Sequence, residues 1–151
     1  MTRLHVDRGQ LLCATRPASW RRQRVRSWQD AATVGNTVAS ALRGSGFTKR
    51  DVFAVRLALD EALANAIQHG HGGDLTKAVQ VRWRVSRRGV LLRVRDQGPG
   101  FDPSQIPDPL APEALERESG RGLLLMRSSL TWVRYNRRGN AVTLCKRRTH
   151  P

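Results

Sequence analysis

The fold of this chain is decided by residues 48–70, which read TKRDVFAVRLALDEALANAIQHG. Thr48 is a candidate N-cap, Phe47 before it can pack back as a hydrophobic staple, and Asp51 lies three residues after the cap. The pattern predicts one helix of about 20 residues that ends near His69, where glycines follow. Its first two-thirds are apolar nearly all round, which predicts burial of Val52, Phe53, Val55, Leu57, Leu59 and Leu63.

A polar stripe interrupts this apolar helix. Glu61 and Asn65 are four residues apart and so project from one face, with His69 one turn further and Gln68 at the border. Carboxylate and amide oxygens suit Mg²⁺, and a carboxylate can also accept a proton from an attacking hydroxyl. The alternative is a solvated stripe on an amphipathic helix. Because buried polar groups need partners, the apolar surroundings favour a cleft.

Periodicity predicts the elements on both sides of the helix. In chain order they are an edge strand over 22–27, a helix over 29–43, the long helix, strands over 79–85 and 90–94, a helix over 121–129, and strands over 131–135 and 141–146. Residues 96–122 contain no periodic segment, which is typical of a functional lid or a linker. The order predicts an α/β fold, a two-layer α/β sandwich, with a mixed, mainly antiparallel sheet and helices on one face.

A glycine-rich turn, Asp96-Gln97-Gly98-Pro99-Gly100-Phe101, directly follows the second of the paired strands. Its glycines allow the backbone to approach a ligand closely. An aspartate at a strand end can accept a hydrogen bond from an exocyclic amine such as that of adenine. An ordinary turn is the alternative interpretation of this stretch.

A second glycine-rich stretch, Gly120-Arg121-Gly122-Leu123-Leu124-Leu125-Met126, opens the short helix near residue 121. The first amides of a helix can bind phosphate, aided by the helix dipole, and Arg121 can pair with a phosphate oxygen. Taken alone, this pattern is also compatible with a simple turn.

The three stretches together, in this order, resemble the GHKL ATP-binding superfamily, and within it the RsbW-type anti-sigma-factor serine kinases. The resemblance covers roughly Trp20 to Lys146. Residues 57–70 resemble the N box of that family, residues 94–102 its first glycine box and residues 120–126 its second. The chain departs from the family before its last strand, where Asn140 and Ala141 follow Gly139 instead of a Gly-Thr pair. The resemblance implies the Bergerat-type ATP-binding fold.

The resemblance also implies roles for individual residues. Asn65 would bind Mg²⁺ that bridges the ATP phosphates, and Glu61 would be the general base for the substrate hydroxyl. Asp96 would bind the adenine amine, and Gly98 and Gly100 would shape the adenine pocket. The second glycine box would frame the triphosphate, its ATP-binding residues being Gly120, Arg121, Gly122 and Leu123. His69 matches the N box, but a helix-terminal histidine is expected to be a cap or packing group.

The function implied is that of an ATP-dependent serine/threonine protein kinase. It would phosphorylate an anti-sigma-factor antagonist in a partner-switching pathway and bind a sigma factor when the antagonist is absent. The family further implies a homodimer. One alternative is an ATP-binding module that sequesters a partner without phosphotransfer. Another is a basic nucleic-acid-binding domain that does not use ATP.

Composition limits the class of protein. The chain has 151 residues and a formal net charge of +15. This predicts one domain over 20–148 with a lid at about 102–119, after a loosely ordered extension over 1–19. No apolar run approaches a membrane span. The cysteines, Cys13 and Cys145, have no metal-binding or redox spacing, and a reducing cytoplasm is the default compartment.

The arginines follow the alternation of the strands. Only three of the 27 basic residues are lysines, so 24 are arginines. If the strand residues Val25, Val81, Trp83, Val90, Leu92, Val94 and Val133 face the helices, the opposite side carries Arg24, Arg26, Arg82, Arg84, Arg93, Arg95 and Arg134. A basic sheet face could dock an acidic protein or a nucleic-acid backbone. The lack of a nucleic-acid motif and the few aromatic residues favour a protein partner. A solvated basic surface without a partner is the alternative.

Overall fold

The computed structural model describes residues 19–72, 74, 76–105 and 128–150. Within these ranges, two complete α-helices and five strands follow each other along the chain, and Ser128 and Ser129 are also helical. They are β1 (Arg21–Val25), α1 (Trp28–Gly44), α2 (Lys49–Asn65), β2 (Val79–Val85), β3 (Gly89–Arg95), β4 (Trp132–Tyr135) and β5 (Ala141–Arg147). A π-helical turn, Ala66–Gly70, extends α2, and a 3₁₀ turn covers Pro103–Gln105. No described helix has the length and apolar character needed to cross a membrane.

The strands form one sheet with the order β1-β2-β3-β5-β4. All four pairings are antiparallel. The sheet formed by the described strands is therefore purely antiparallel, and not mixed as the sequence predicted. Short turns join β2 to β3 and β4 to β5, and such turns can connect only antiparallel neighbours. The predicted two-layer α/β sandwich is confirmed.

The core lies between α1, α2 and one face of the sheet. Val25 of β1, Leu42 of α1, Val55 of α2 and Val81 of β2 are completely buried there. Ala31, Val34, Val38 and Leu42, at helical spacing along α1, are buried, and Ala41 is half-buried. The alternation predicted for β2 and β3 places their valines in this core.

Phe53 departs from the predicted burial of α2. Its side chain is 69% exposed, and Leu57, one turn later, is only partly buried. The reason is that α2 packs against the sheet and α1 but leaves its remaining side to solvent. An apolar sequence does not by itself show which side of a helix lacks a neighbour.

Both helices begin at side-chain caps. The Thr48 hydroxyl accepts a hydrogen bond from the Asp51 amide at 3.1 Å, as the sequence predicts. Ser27, predicted to end the edge strand, instead caps α1 and accepts from the Asp30 amide at 3.0 Å. The Ser27 hydroxyl satisfies an amide in the first turn of α1 that has no partner within the helix. Ser27 thus belongs to the start of α1, and the strand ends at Val25.

The carboxylate of Asp51 connects the segment that follows β5 to α2. It is 1% exposed and accepts hydrogen bonds from the Thr149 amide and hydroxyl, both at 2.8 Å. Lys146 pairs with its other oxygen at 3.4 Å. Burial alone would raise the pKa of Asp51, but the Thr149 hydrogen bonds and the Lys146 charge lower it below the ordinary value of 3.8.

Asp51→Asn is expected to destabilise the fold by about 1–3 kcal/mol at pH 7, because an amide cannot compensate Lys146 or accept as strongly from Thr149. Since the folded pKa is lowered, the ionised group stabilises fully above pH 3.8 and loses this effect as the pH falls through the folded value. Urea unfolding at several pH values should show the gap between the two proteins closing under acid. As a control, Asp60→Asn removes an exposed ion pair with Arg56 and should lower the free energy of unfolding by no more than about 0.5 kcal/mol. A gap independent of pH would contradict this assignment.

Candidate functional site

The site begins at the C-terminal end of α2. Glu61 is half-buried and Asn65, the last residue of the α-helix, is exposed, one turn apart on one face. Beyond Asn65 the chain widens into the π-helical turn, so the continuous α-helix predicted to His69 is not present. Because the wider turn changes the phase of the side chains, His69 does not extend the Glu61–Asn65 stripe at α-helical spacing. Its side chain is exposed.

Gly70, at the end of this turn, lies directly against Asp96. A β-carbon added at Gly70 would lie 2.4 Å from Cγ of the Asp96 carboxylate. One added at Gly98 would lie 2.0 Å from the Gly70 carbonyl oxygen. The helix end and the turn after β3 are therefore in backbone contact at Gly98, where only glycine fits, and a side chain at Gly70 would displace the Asp96 carboxylate. The structure thus brings the predicted N box and first glycine box together.

His71 is a part of the site that the sequence analysis missed. It is 7% exposed, and its Nε2 accepts a hydrogen bond from the Gln97 amide at 2.9 Å. The Gln97 side chain in turn accepts from the Ala78 amide at 3.1 Å, which ties the turn to the start of β2. His71 thus binds the turn as a hydrogen-bond acceptor through Nε2. His69, which the sequence predicts to be a cap or packing group, is exposed, and the buried histidine of this segment is His71.

The backbone of Asp96 is held by the β4–β5 turn. Its amide donates to the Asn140 carbonyl at 2.9 Å, and the Asn140 side chain donates to the Asp96 carbonyl at 3.4 Å. Asn140 is 4% exposed and is itself fixed by the Asn136 side chain at 2.7 Å. The residue at which the chain departs from the Gly-Thr pattern is thus the one that positions Asp96.

The carboxylate of Asp96 is oriented by its own turn. Oδ1 accepts a hydrogen bond from the Gly98 amide at 2.7 Å. Oδ2 has no hydrogen-bond partner among the described residues, and the side chain is half-buried. A carboxylate held in this way, with one oxygen unbound among the described residues, can accept a hydrogen bond from an amine.

Two further close contacts join the glycine turn to the β4–β5 turn. Gly100 has φ +77°, and a β-carbon there would lie 1.8 Å from the Arg138 carbonyl oxygen. A β-carbon at Gly139 would lie 2.0 Å from the Phe101 carbonyl oxygen. The Phe101 ring packs edge-on to Tyr135 at 5.2 Å. These contacts hold the glycine turn against the β4–β5 turn.

The described residues do not include the second glycine box. Gly120, Arg121, Gly122 and Leu123 lie outside the described ranges, as does most of the predicted lid. The segment predicted as a lid starts at Asp102, whose carboxylate accepts from the Ser104 hydroxyl at 2.7 Å and from its amide at 2.9 Å. The Ser104 bonds lower the pKa of Asp102 and keep the carboxylate ionised in this turn.

The metal-ligating capacity of the described site is small. No group of three His, Cys, Asp or Glu side chains among the described residues could hold a metal ion. Asn65 offers a single amide oxygen in an exposed position. A Mg²⁺ ion at this place would therefore take most of its oxygen ligands from water and from a phosphorylated ligand, as Mg²⁺ commonly does.

Comparison with known proteins gives one family and several relatives. A family model described as a histidine kinase-like ATPase domain matches residues 27–146. The serine/threonine-protein kinase BtrW of Bordetella bronchiseptica is 34% identical over 88 residues, which cover 57% of this chain and 62% of that protein. The serine-protein kinase RsbW of Bacillus licheniformis is 32% identical over 104 residues, 65% of each protein. The chain thus spans slightly less than two thirds of the length of these two relatives.

A solved structure also resembles this fold. The crystal structure of the RsbU and RsbW domains of Rv1364c from Mycobacterium tuberculosis matches 87% of this chain and 33% of that chain, with a TM-score of 0.56. The sequence identity is 17%, so the likeness shows a common fold.

Proposed function

Since this chain belongs to the family of histidine kinase-like ATPase domains, we propose that it is an ATP-dependent protein serine/threonine kinase. The observation that carries the proposal is the contact between Gly70 and Asp96. It places an acceptor carboxylate at the end of the helix that bears Glu61 and Asn65. The relatives named as serine kinases support the choice of a protein hydroxyl as the phosphate acceptor.

The described residues fit the adenine of ATP. The free Oδ2 of Asp96 would accept a hydrogen bond from the adenine amine, while Oδ1 stays bound to the Gly98 amide. Because Gly70 and Gly98 carry no side chains, the helix end and the glycine turn pack together directly beside the Asp96 carboxylate. His71 accepts a hydrogen bond from the Gln97 amide and so holds the turn that carries Asp96.

The rest of the nucleotide would lie along α2 toward its N-terminal end. Asn65 directly precedes the π-helical turn, and Glu61 comes one turn before Asn65. At 1.5 Å per residue, Glu61 lies roughly 13 Å along the helix from Gly70. Bound Mg²⁺ would neutralise phosphate charge near Asn65, and the Glu61 carboxylate would accept the proton of the attacking hydroxyl. Such a mechanism needs positioning and charge neutralisation more than covalent chemistry.

The partners follow from the resemblance of the sequence motifs. The phosphoacceptor would be an anti-sigma-factor antagonist, with a sigma factor as the second partner in a partner-switching pathway. We further propose a homodimer, a cytoplasmic location, a domain over 20–148 and a lid over about 102–119 that closes on the triphosphate.

Thermal unfolding with Mg·ATP tests the nucleotide site. ATP at about 100 times its Kd should stabilise the protein by about 2.7 kcal/mol, which raises Tm by about 5–10 °C. Asp96→Asn should remove this rise: its amide oxygen keeps the Gly98 bond, but its NH₂ meets the adenine amine donor to donor. Asp60→Asn, on the same helix as Glu61 but at an exposed ion pair, should keep the full rise. A wild-type protein that shows no rise at millimolar Mg·ATP would refute the proposal.

Phosphotransfer separates the kinase from a binding module. The chain would be incubated with γ-labelled ATP and a partner co-purified from the organism that encodes it. Label on a serine or threonine of the partner supports the kinase. ATP-dependent co-purification without label would support a module that sequesters its partner.

A further inference from the structure

The sheet face that points away from the helices is strongly basic. Strand register places eight arginines on this outer sheet face, namely Arg22, Arg24, Arg82, Arg84, Arg93, Arg95, Arg134 and Arg147. All are exposed except Arg84, which is half-buried. The alternation predicted from the sequence is confirmed apart from Arg26, which lies beyond β1, its amide bound to the Asp30 carboxylate at 2.9 Å.

These arginines oppose one another directly. Arg22 is paired in register with Arg82, and Arg82 is paired with Arg93, which forms a row across β1, β2 and β3. Like charges directly opposite on one face destabilise a sheet. None of the five strands contains an Asp or Glu, and no ion pair between described residues involves these three arginines. The positive charges of these arginines therefore repel one another, and the five strands contain no acidic residue that offsets the repulsion.

Tryptophans at both ends of the face stack with these arginines. Trp20 lies 5.3 Å from the Arg82 guanidinium and 5.0 Å from that of Arg84. Trp132 on β4 lies 4.9 Å from the Arg134 guanidinium. Such cation–π contacts hold long side chains in place and lower the entropy lost on binding. Arginine and tryptophan are also the residue types most enriched at energetically important interface positions.

We propose that the outer sheet face is a docking surface for an acidic protein surface. Guanidinium groups bind carboxylates in bidentate geometry. A partner that brings carboxylates to this face would therefore offset the repulsion among the arginines. The exposed part of this face includes the arginine row across β1, β2 and β3, whereas Leu91 and Cys145 on the same face are buried. The tryptophan rings are engaged by guanidinium groups, which disfavours base stacking on this face. The proposal does not depend on phosphotransfer, because the face lies across the sheet from the helices.

Fluorescence anisotropy with a labelled oligoglutamate peptide tests this surface at physiological salt. Arg82→Glu/Arg93→Glu should weaken binding at least tenfold more than Arg43→Glu/Arg50→Glu, which alters two exposed arginines of the helix layer. Both pairs lower the net charge from +15 to +11, since each substitution removes two units of charge. Equal losses for the two pairs would mean that only overall charge attracts the peptide, and the proposal would fail.

Two further measurements complete the test. Arg82→Gln should weaken the peptide at least about threefold while leaving Tm unchanged or raised, because it removes a repulsive charge from the row. A fall in Tm for this variant would show that the arginine is structural and would overturn the argument from repulsion. Tighter binding of an oligodeoxynucleotide of equal charge than of the peptide would assign the face to nucleic acid instead.

Discussion

A Glu61→Gln variant is expected to transfer phosphate about 10²–10⁴-fold more slowly than the wild-type chain, because a positioned general base contributes a factor of that size. Glutamine has nearly the same shape but cannot accept the proton of the attacking hydroxyl. Glu61 is half-buried and makes no hydrogen bond to another described residue, so the substitution leaves the fold intact. The rate would be measured from γ-labelled ATP to the co-purified partner.

Two comparisons make this result specific. The rise in Tm with Mg·ATP should persist in Glu61→Gln, since the adenine contacts lie about two and a half turns away along α2 and its π-helical extension. Asp60→Asn makes the same carboxylate-to-amide change one residue earlier, at an exposed pair with Arg56, and should keep the wild-type rate. A Glu61→Gln protein that retains the wild-type rate would remove Glu61 from the mechanism and leave phosphotransfer without an identified base.

The sequence predicted features that depend on neighbours close along the chain. The Thr48 cap joins a hydroxyl to an amide three residues later, and the strand alternation repeats every second residue, so both can be inferred from short segments. The outer sheet face was predicted for the same reason, because alternation determines which side of a strand each arginine occupies. The chain order of the elements was then sufficient to predict a two-layer sandwich.

Features that depend on distant contacts were not predictable in this way. The π-helical turn ends at Gly70, which meets Asp96, a residue 26 positions further along the chain. His71 is turned inward by the Gln97 amide, and local sequence does not distinguish it from the exposed His69. Asn140 positions Asp96 from the β4–β5 turn, and its role depends on the pairing of β3 with β5. The sequence thus predicted that Asp96 can act as a hydrogen-bond acceptor, but it did not predict which residues hold Asp96 in place.

That support can be tested at Gly98, the point of closest contact between the glycine turn and the end of α2. Gly98→Ala is expected to cost about 1–3 kcal/mol of stability and to abolish the rise in Tm with Mg·ATP. The added β-carbon would lie 2.0 Å from the Gly70 carbonyl oxygen and 2.9 Å from Asp96 Oδ1. Backbone cannot yield as a flexible side chain does, so the turn must move away from the helix and carry the Asp96 carboxylate with it.

Gly72→Ala is the matched control, because it separates lost stability from a lost pocket. Gly72 has φ +56°, and a β-carbon there would meet nothing within 4 Å. Alanine at this position should cost about 1–2 kcal/mol through left-handed backbone strain while leaving the contact between Gly70 and Asp96 unchanged. Differential scanning fluorimetry of both variants should therefore show two lowered Tm values, of which only that of Gly72→Ala rises with Mg·ATP. If Gly98→Ala also responds to Mg·ATP, the backbone contact between helix and turn does not shape the nucleotide pocket, and Asp96 must be positioned by the Asn140 turn alone.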